Sequence, residues 1–348
     1  MSQPSFSPIR NQLADHLRQE ISRGRWKGTI PGRNALAADL GMNRKTVESA
    51  LKILGDEGLL VSQGRGRRRR IVLPKGGLEA PPLRVAILRD TSEGRNYDDR
   101  LHHYLSQDGH EILKPRQVRM GVPRLGRLVD ETAADAWVVL AGPREVLEWF
   151  AERSAPTFAL FGARRGLPIA GAGPDHVPAM LAAVRRLVSL GHHRIVLLVR
   201  EPHRVPPLLK FTQCFLDELG AQGISTSRYN LPSWKETPEG LKHCLDSLFK
   251  TTPPTALIVD EAFLFAAVQQ YLARRGILAP DHISLVCIDP DPTFDWLRPS
   301  VAHLSWNQDQ ILKRAQRWVN SVASGKDDRA QSFTKARFVD GGTVGAVP

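Results

Sequence analysis

Apolar residues recur every four positions at Ile9, Leu13, Leu17 and Ile21, while Arg10, Asp15, Arg18 and Glu20 fall off that stripe. The spacing predicts an amphipathic helix over Ile9–Ile21, stopped by Gly24. A short helix is expected over Asn34–Leu40, entered after Pro31-Gly32 and ended at Gly41. A third runs from Arg44 to about Gly55 with Asn43 as its N-cap. Its Val47, Ala50, Leu51 and Leu54 stand at i, i+3, i+4 and i+7 and form a buried face, which leaves Arg44, Lys45, Glu48, Ser49 and Lys52 outside. Leu59–Ser62 and Arg70–Leu73 read as two short strands around a basic tip, Gln63–Arg69. Two short helices joined at a glycine and followed by a strand pair are the parts of a winged helix-turn-helix, whose second helix has the dimensions of the DNA major groove.

The pattern changes across Pro74–Pro82 (PKGGLEAPP), a linker by composition. Beyond it, fully apolar strand-like runs alternate with helical stretches. The strands are Val85–Leu88, Trp137–Leu140, Thr157–Phe161, Ile195–Val199, Ala256–Val259 and Ser284–Ile288. The helices lie near Tyr97–Gln107, Pro143–Glu152, Val177–Leu190, Leu208–Leu219, Pro238–Lys250 and Ala262–Arg275. Apolar strands separated by helices imply parallel sheets covered on both faces, in an α/β domain of two lobes whose ligand sites lie at the carboxyl ends of strands. The expected organisation is a DNA-binding domain over 1–73, a linker over 74–83, and a two-lobed effector-binding and dimerisation domain over 84–348.

Charge sharpens the division. The chain carries 48 Lys/Arg and 36 Asp/Glu, a net of +12, and residues 1–75 alone hold 15 and 6 of these, a net of +9. A polyanion partner for the N-terminal segment follows, with DNA or RNA the first candidate. At the start of the third helix, Arg44 suits guanine and Asn43 adenine, while Lys45 and Thr46 suit phosphates or bases. The tip Gly64-Arg65-Gly66-Arg67-Arg68-Arg69-Arg70 supplies charge on a flexible support, against phosphates or in the minor groove. Arg33, ahead of the second helix, completes the candidate DNA-contacting set.

Other chemistries find little support. The longest apolar candidate, Ala256–Val268, is broken by Asp260 and Glu261, and Met1–Arg10 has no signal-peptide core, so a cytoplasmic protein with no membrane partner is expected. Cys214, Cys244 and Cys287 are far apart and read as reduced structural thiols. GxSxG, GxxxxGK[ST] and HExxH motifs are lacking. The adjacent pairs His102-His103 and His192-His193 do not share a helix face, and His243-Cys244 lacks partners at zinc spacing. No catalytic residue, metal or cofactor is expected.

Residues 9–73 resemble the winged helix-turn-helix of the GntR family, through Ile30-Pro31, Leu36-Ala37, Leu40-Gly41, Thr46-Val47, Ala50-Leu51, Glu57-Gly58-Leu59 and Gly64-Arg65-Gly66. By position the resemblance implies DNA contact by Asn43, Arg44, Lys45, Thr46, Gly64 and Gly66. Two departures stand out: Glu48 occupies a position that often carries Arg, and Gly32-Arg33-Asn34 replaces the usual Ser-Glu-Arg. Residues 84–345 resemble the effector domain of the LacI family, which shares the periplasmic-binding-protein fold, through Leu187–Ile195, Pro254-Thr255-Ala256 and Ile283–Asp289. The combination is that of arabinose-repressor-like regulators. By analogy lobe one is about 84–165 and 290–320, and lobe two about 166–289 and 321–348.

For the effector the resemblance implies Asp289, with Asp90 and Asp175 as polar liners or, equally, caps. Its usual Arg after the first strand of lobe two is Phe211 here, with Lys210 adjacent as a substitute, and its usual Asn-Asp pair is Asp260-Glu261. Trp137, Trp296 and Trp306 could stack on a sugar or lie in the core. The expected function is a homodimeric, sequence-specific transcription regulator, a repressor, acting on a palindromic operator under a sugar or sugar-like effector held between two lobes. The alternative, a solute-binding receptor of the transport class, is opposed by the basic head, and an enzyme by the missing motifs.

Overall fold

The computed structural model describes residues 8–22, 25–26, 28–64, 67–72, 82–89, 95–114, 122–204, 206 and 208–348. The head begins with α1 (Ile9–Ser22), β1 (Thr29–Ile30), α2 (Arg33–Asp39) and α3 (Arg44–Asp56), and ends with β2 (Leu60–Val61) and β3 (Arg69–Ile71). Its core is the stripe the spacing predicts: Leu13, Leu17 and Ile21 of α1 meet Leu36 of α2 and Val47, Ala50, Leu51 and Leu54 of α3. Arg18 of α1 pairs with Glu57 just after α3 at 2.6 Å. β1, too short at two residues to leave a pattern in the sequence, joins β3 to make a three-stranded sheet in the order β1-β3-β2.

After the head come β4 (Arg84–Arg89), α4 (Arg95–Gln107), β5 (Glu111–Leu113), α5 (Val122–Glu131), β6 (Ala136–Leu140), α6 (Arg144–Ala151), β7 (Thr157–Leu160) and β8 (Ala170–Asp175). The chain continues through α7 (Val177–Ser189), β9 (Ile195–Leu198), α8 (Glu201–Arg204), α9 (Lys210–Ala221), α10 (Pro238–Thr251), β10 (Ala256–Val259), α11 (Ala262–Ala273) and β11 (Ser284–Cys287). It ends with β12 (Ala302–Ser305), α12 (Gln308–Ala323), β13 (Gln331–Lys335) and β14 (Arg337–Val339). The sheets run β13-β8-β7-β6-β4-β5 and β14-β12-β11-β10-β9. The apolar strands are parallel, as their composition implies, and β14 is antiparallel to β12.

The chain divides into two compact units. One holds the described residues up to Leu160, with Gly166–Gly171 and Leu312–Gln331; the other holds Phe161–Arg165, Ala172–Ile311 and Ser332–Pro348. In the first, Trp137 is 1% exposed beside Phe150, and Phe158 packs on Trp318 at a centroid distance of 5.3 Å, so Trp137 is core and not a stacking surface. In the second, Leu198, Leu257, Val259, Phe265, Leu285 and Cys287 form the packed interior. The expectation that residues 290–311 belong with lobe one is corrected: β12 pairs in parallel with β11, Val286 opposite Ala302, and its alternating side chains are half buried in that second sheet.

Leu54 is fully buried in the small core of the head. Leu54→Ala is expected to cost the head about 2–5 kcal/mol in chemical denaturation. A loss under about 1 kcal/mol would contradict the packing described.

Candidate functional site

Two places gather polar side chains that packing does not require. The first is the outer face of α3. Asn43 caps it, its side chain accepting from the Lys45 amide at 2.9 Å, so the helix starts where the sequence says. Arg44, Lys45 and Lys52 stand exposed on this face, and their side chains have no hydrogen-bond or ion-pair partner among the described residues; Thr46 is half buried. Arg33, at the first turn of α2, donates from Nη1 to Glu48 Oε1 at 2.8 Å. Structure thus brings together Arg33, Asn43, Arg44, Lys45 and Glu48.

On the wing, Gly64 takes φ 106°, a conformation that favours glycine, and its carbonyl accepts from the Arg67 amide at 3.3 Å. Arg65 and Gly66 lie outside the described residues. Arg67, Arg68 and Arg70 are exposed, but Arg69 is not part of a free cationic tip: its Nη1 donates to the Leu51 carbonyl at 2.6 Å, tying the wing to α3. Of the five arginines expected in the tip, Arg69 is thus corrected, because strand alternation turns it toward the helix.

The second place is one edge of the second unit's sheet. The parallel register sets Leu198 beside Val259 and Val259 beside Cys287, so the residues that follow these strands share an edge. Arg200 and His203 come from the β9–α9 segment, Asp260 and Glu261 follow β10, Asp289 follows β11, and Trp306 follows β12. His203 Nδ1 lies 2.7 Å from Asp260 Oδ2, which also accepts the Arg200 amide at 3.3 Å. The Arg200 guanidinium meets Glu236 at 2.9 Å and Glu261 at 3.7 Å. Burial pushes the Asp260 carboxyl up, but the adjoining His203 and the hydrogen bonds outweigh it and hold the group below the ordinary carboxylate range. Glu261 takes φ 55°, a region side chains rarely adopt and one found at ligand-binding loops.

Beneath these pairs lies an aromatic cluster. Phe211 sits 5.5 Å from His176 and 5.4 Å from His203, ring centre to ring centre, and His176 sits 5.0 Å from Trp306. His176 Nε2 and Trp306 Nε1 are buried with no hydrogen-bond partner among the described residues, a costly condition that a bound polar group relieves. Burial lowers the His176 pKa to about 4, with Asp260 opposing, so the ring is neutral near pH 7.

The remaining expected residues fall as follows. Asp175 ends β8, and its Oδ1 accepts from the Val177 amide at 3.4 Å, one residue past His176, the N-cap of α7. Lys210 is exposed at the start of α9 with no partner among the described residues; its neighbour Phe211 enters the cluster instead. Glu261 and Asp289 stand on the edge, and Asp90 lies outside the described residues. Trp296 is 86% exposed and away from any packed core, whereas Trp306 joins the cluster. Sequence reasoning missed His176, Arg200, His203 and Glu236. The first three flank strand ends, and that position was the available signal; Glu236 lies in an irregular loop and gave none.

Both parts of the chain are similar to known proteins. Residues 9–68 match the family model described as bacterial regulatory proteins, gntR family, and residues 184–344 match the periplasmic binding protein-like domain. An uncharacterised HTH-type transcriptional regulator of Rhizobium meliloti (strain 1021) is 46% identical over 70 residues, 18% of this chain and 29% of that protein. Among solved structures, the Escherichia coli transcriptional repressor ascG superposes with a TM-score of 0.59 at 16% identity, over 75% of this chain and 99% of that one. A LacI family regulator from Enterococcus faecium, solved with bound ribose, gives 0.62 at 13% identity over 76% and 100%. The lac repressor dimer bound to operator and an anti-inducer gives 0.61 at 14% identity over 76% and 95%. Residues 9–68 are thus similar to the gntR family of bacterial regulatory proteins, and the larger part of the chain has the periplasmic-binding-protein-like fold.

The buried His176 makes stability depend on pH with a definite sign. Its folded pKa lies below the ordinary 6.5, so the unfolded chain takes up the proton first, and stability present above pH 6.5 is lost as pH falls toward 4. About 3 kcal/mol is at stake at the lower limit. His176→Phe is expected to flatten this decline in denaturation series between pH 7 and 4. His192, also lowered by burial, leaves a residual slope. A decline identical to that of the parent protein would contradict the assignment.

Proposed function

We propose that this protein is a sequence-specific transcription regulator that binds a palindromic double-stranded operator as a homodimer, represses from it, and is controlled by a small molecule taken up at the second unit's strand-end edge. The observation that carries the reading is the outer face of α3, where Arg44, Lys45 and Lys52 stand exposed beside an Asn43-capped helix start. On a helix of groove dimensions these side chains meet base edges and phosphates, and the exposed Arg67, Arg68 and Arg70 add phosphate contacts from the wing. Arg65 and Gly66 at the wing tip belong to the same proposed interface. Dimerisation follows from specificity: one recognition helix reads few base pairs, and two half-sites multiply the discrimination. The solute-receptor alternative leaves such a head without a purpose.

For the effector, the edge favours an uncharged, hydroxyl-bearing molecule of the sugar-like kind. Arg200 is already matched by Glu236 and Glu261, and Phe211 supplies a ring where a cation would clamp an acid. His176 Nε2 and Trp306 Nε1 are polar atoms left for a ligand hydroxyl, with Glu261 and Asp289 at the rim and Asp175 and Lys210 as outer contributors. Ligand controls DNA binding only through a difference in its affinity for two states of the protein.

In gel-shift titrations against its operator, recovered from genomic fragments, Arg44→Ala is expected to lose about 1–3 kcal/mol. Unchanged operator affinity would remove Arg44 from the interface. Replacing Arg67, Arg68 and Arg70 by Gln together should weaken all duplexes alike and reduce the dependence of affinity on salt by up to about three phosphate contacts. An unaltered salt slope would place the wing away from DNA.

A further inference from the structure

The geometry points to Arg33 and Glu48 as one base-reading unit, in which the Arg33 guanidinium recognises a guanine in each half-site and Glu48 is the positioning residue that holds it. This inference rests on the reading that α3 enters the major groove. Glu48 lies one turn after Arg44 and one turn before Lys52, on the same exposed stripe. Arg33 belongs to a different helix, α2, yet its guanidinium reaches across to that stripe, with Nη1 2.8 Å from Glu48 Oε1.

The pair has little structural purpose of its own. Its side chains are 55% and 52% exposed, and an ion pair so open to water contributes little to stability. The head is held instead by its apolar core. A carboxylate alone on a face that meets DNA would be repelled by phosphates, and Arg33 cancels that charge. Cancellation in turn makes the pair a poor phosphate ligand, because it brings almost no net charge and releases few counterions. What the pair retains is direction. Among the described residues Nη1 is the one Arg33 nitrogen engaged within the chain, and a guanidinium offers five N–H donors in a planar fork that matches guanine O6 and N7. A carboxylate on one side of the fork fixes its plane, as a support behind a recognition side chain should.

The test is selection of bound duplexes from a random-sequence library by the full-length protein, followed by affinity and salt titrations on the selected operator. Arg33→Ala is expected to erase base preference at one position of each half-site and weaken that operator about 5- to 150-fold. Affinity for unselected duplex should fall far less, through repulsion of the Glu48 carboxylate left unpaired, and combining Arg33→Ala with Glu48→Ala should restore that nonspecific affinity but not the base preference. Glu48→Ala should blur the same position and no other, and Arg33→Lys, which keeps charge but loses the fork, should not restore it. Both side chains are exposed, and thermal unfolding verifies that the variants remain folded. Retention by Arg33→Ala of the parent preference at every position would overturn the inference while leaving the regulator reading intact. So would a uniform loss across all sequences with a reduced salt slope, the signature of a phosphate contact. Failure of the parent protein to select any sequence would overturn the DNA-binding reading and this inference with it.

Discussion

The head depends on the burial of one apolar stripe. Val47, Ala50, Leu51 and Leu54 turn α3 into the core formed with α1 and α2, and that rotation leaves its other side chains facing outward. Arg44, Lys45, Glu48 and Lys52 are on the surface because a slip of the helix by one position would expose leucines and bury charge, at a cost of several kcal/mol. The wing is referred to the same helix through Arg69 and the Leu51 carbonyl. Recognition is therefore set by packing: the core fixes the helix, and the helix fixes what a duplex would meet.

A comparable constraint acts in the second unit. Parallel pairing in register brings the ends of β9, β10 and β11 to one edge, and chemistry-bearing residues accumulate there. The edge is unusual in satisfying most of its own charges: Arg200 with Glu236 and Glu261, and His203 with Asp260. Electrostatic demand on a ligand is thereby reduced, and Nε2 of the neutral His176 and Nε1 of Trp306 are among the buried polar atoms left without a partner within the described residues. Discrimination at such a site would come from shape and hydrogen bonding, with little from net charge.

Many of these features are legible in the amino-acid pattern alone. Strict four-residue spacing identifies the helices of the head, and continuous apolar runs such as Ala256–Val259 identify the parallel strands, because burial leaves those patterns no freedom. Short or partly polar strands escape. β1 has two residues, β12 carries His303 and Ser305, and β13 and β14 lie in polar sequence, each needing a neighbour that local pattern does not reveal. The exposed face of α3 is readable for the same reason as its buried face. The pairing of Arg33 with Glu48, and of Arg200 with Glu236, is not, since each joins residues brought together only by tertiary packing.

The claim that most of this account serves is that α3 lies in the major groove. Dimethyl sulfate footprinting of the bound operator tests it directly, because the reagent reports guanine N7 in the major groove and adenine N3 in the minor groove. The account predicts protection of guanine N7 at symmetric positions in the two half-sites. Full reactivity at every N7 in a saturated complex, with protection confined to adenine N3, would contradict it.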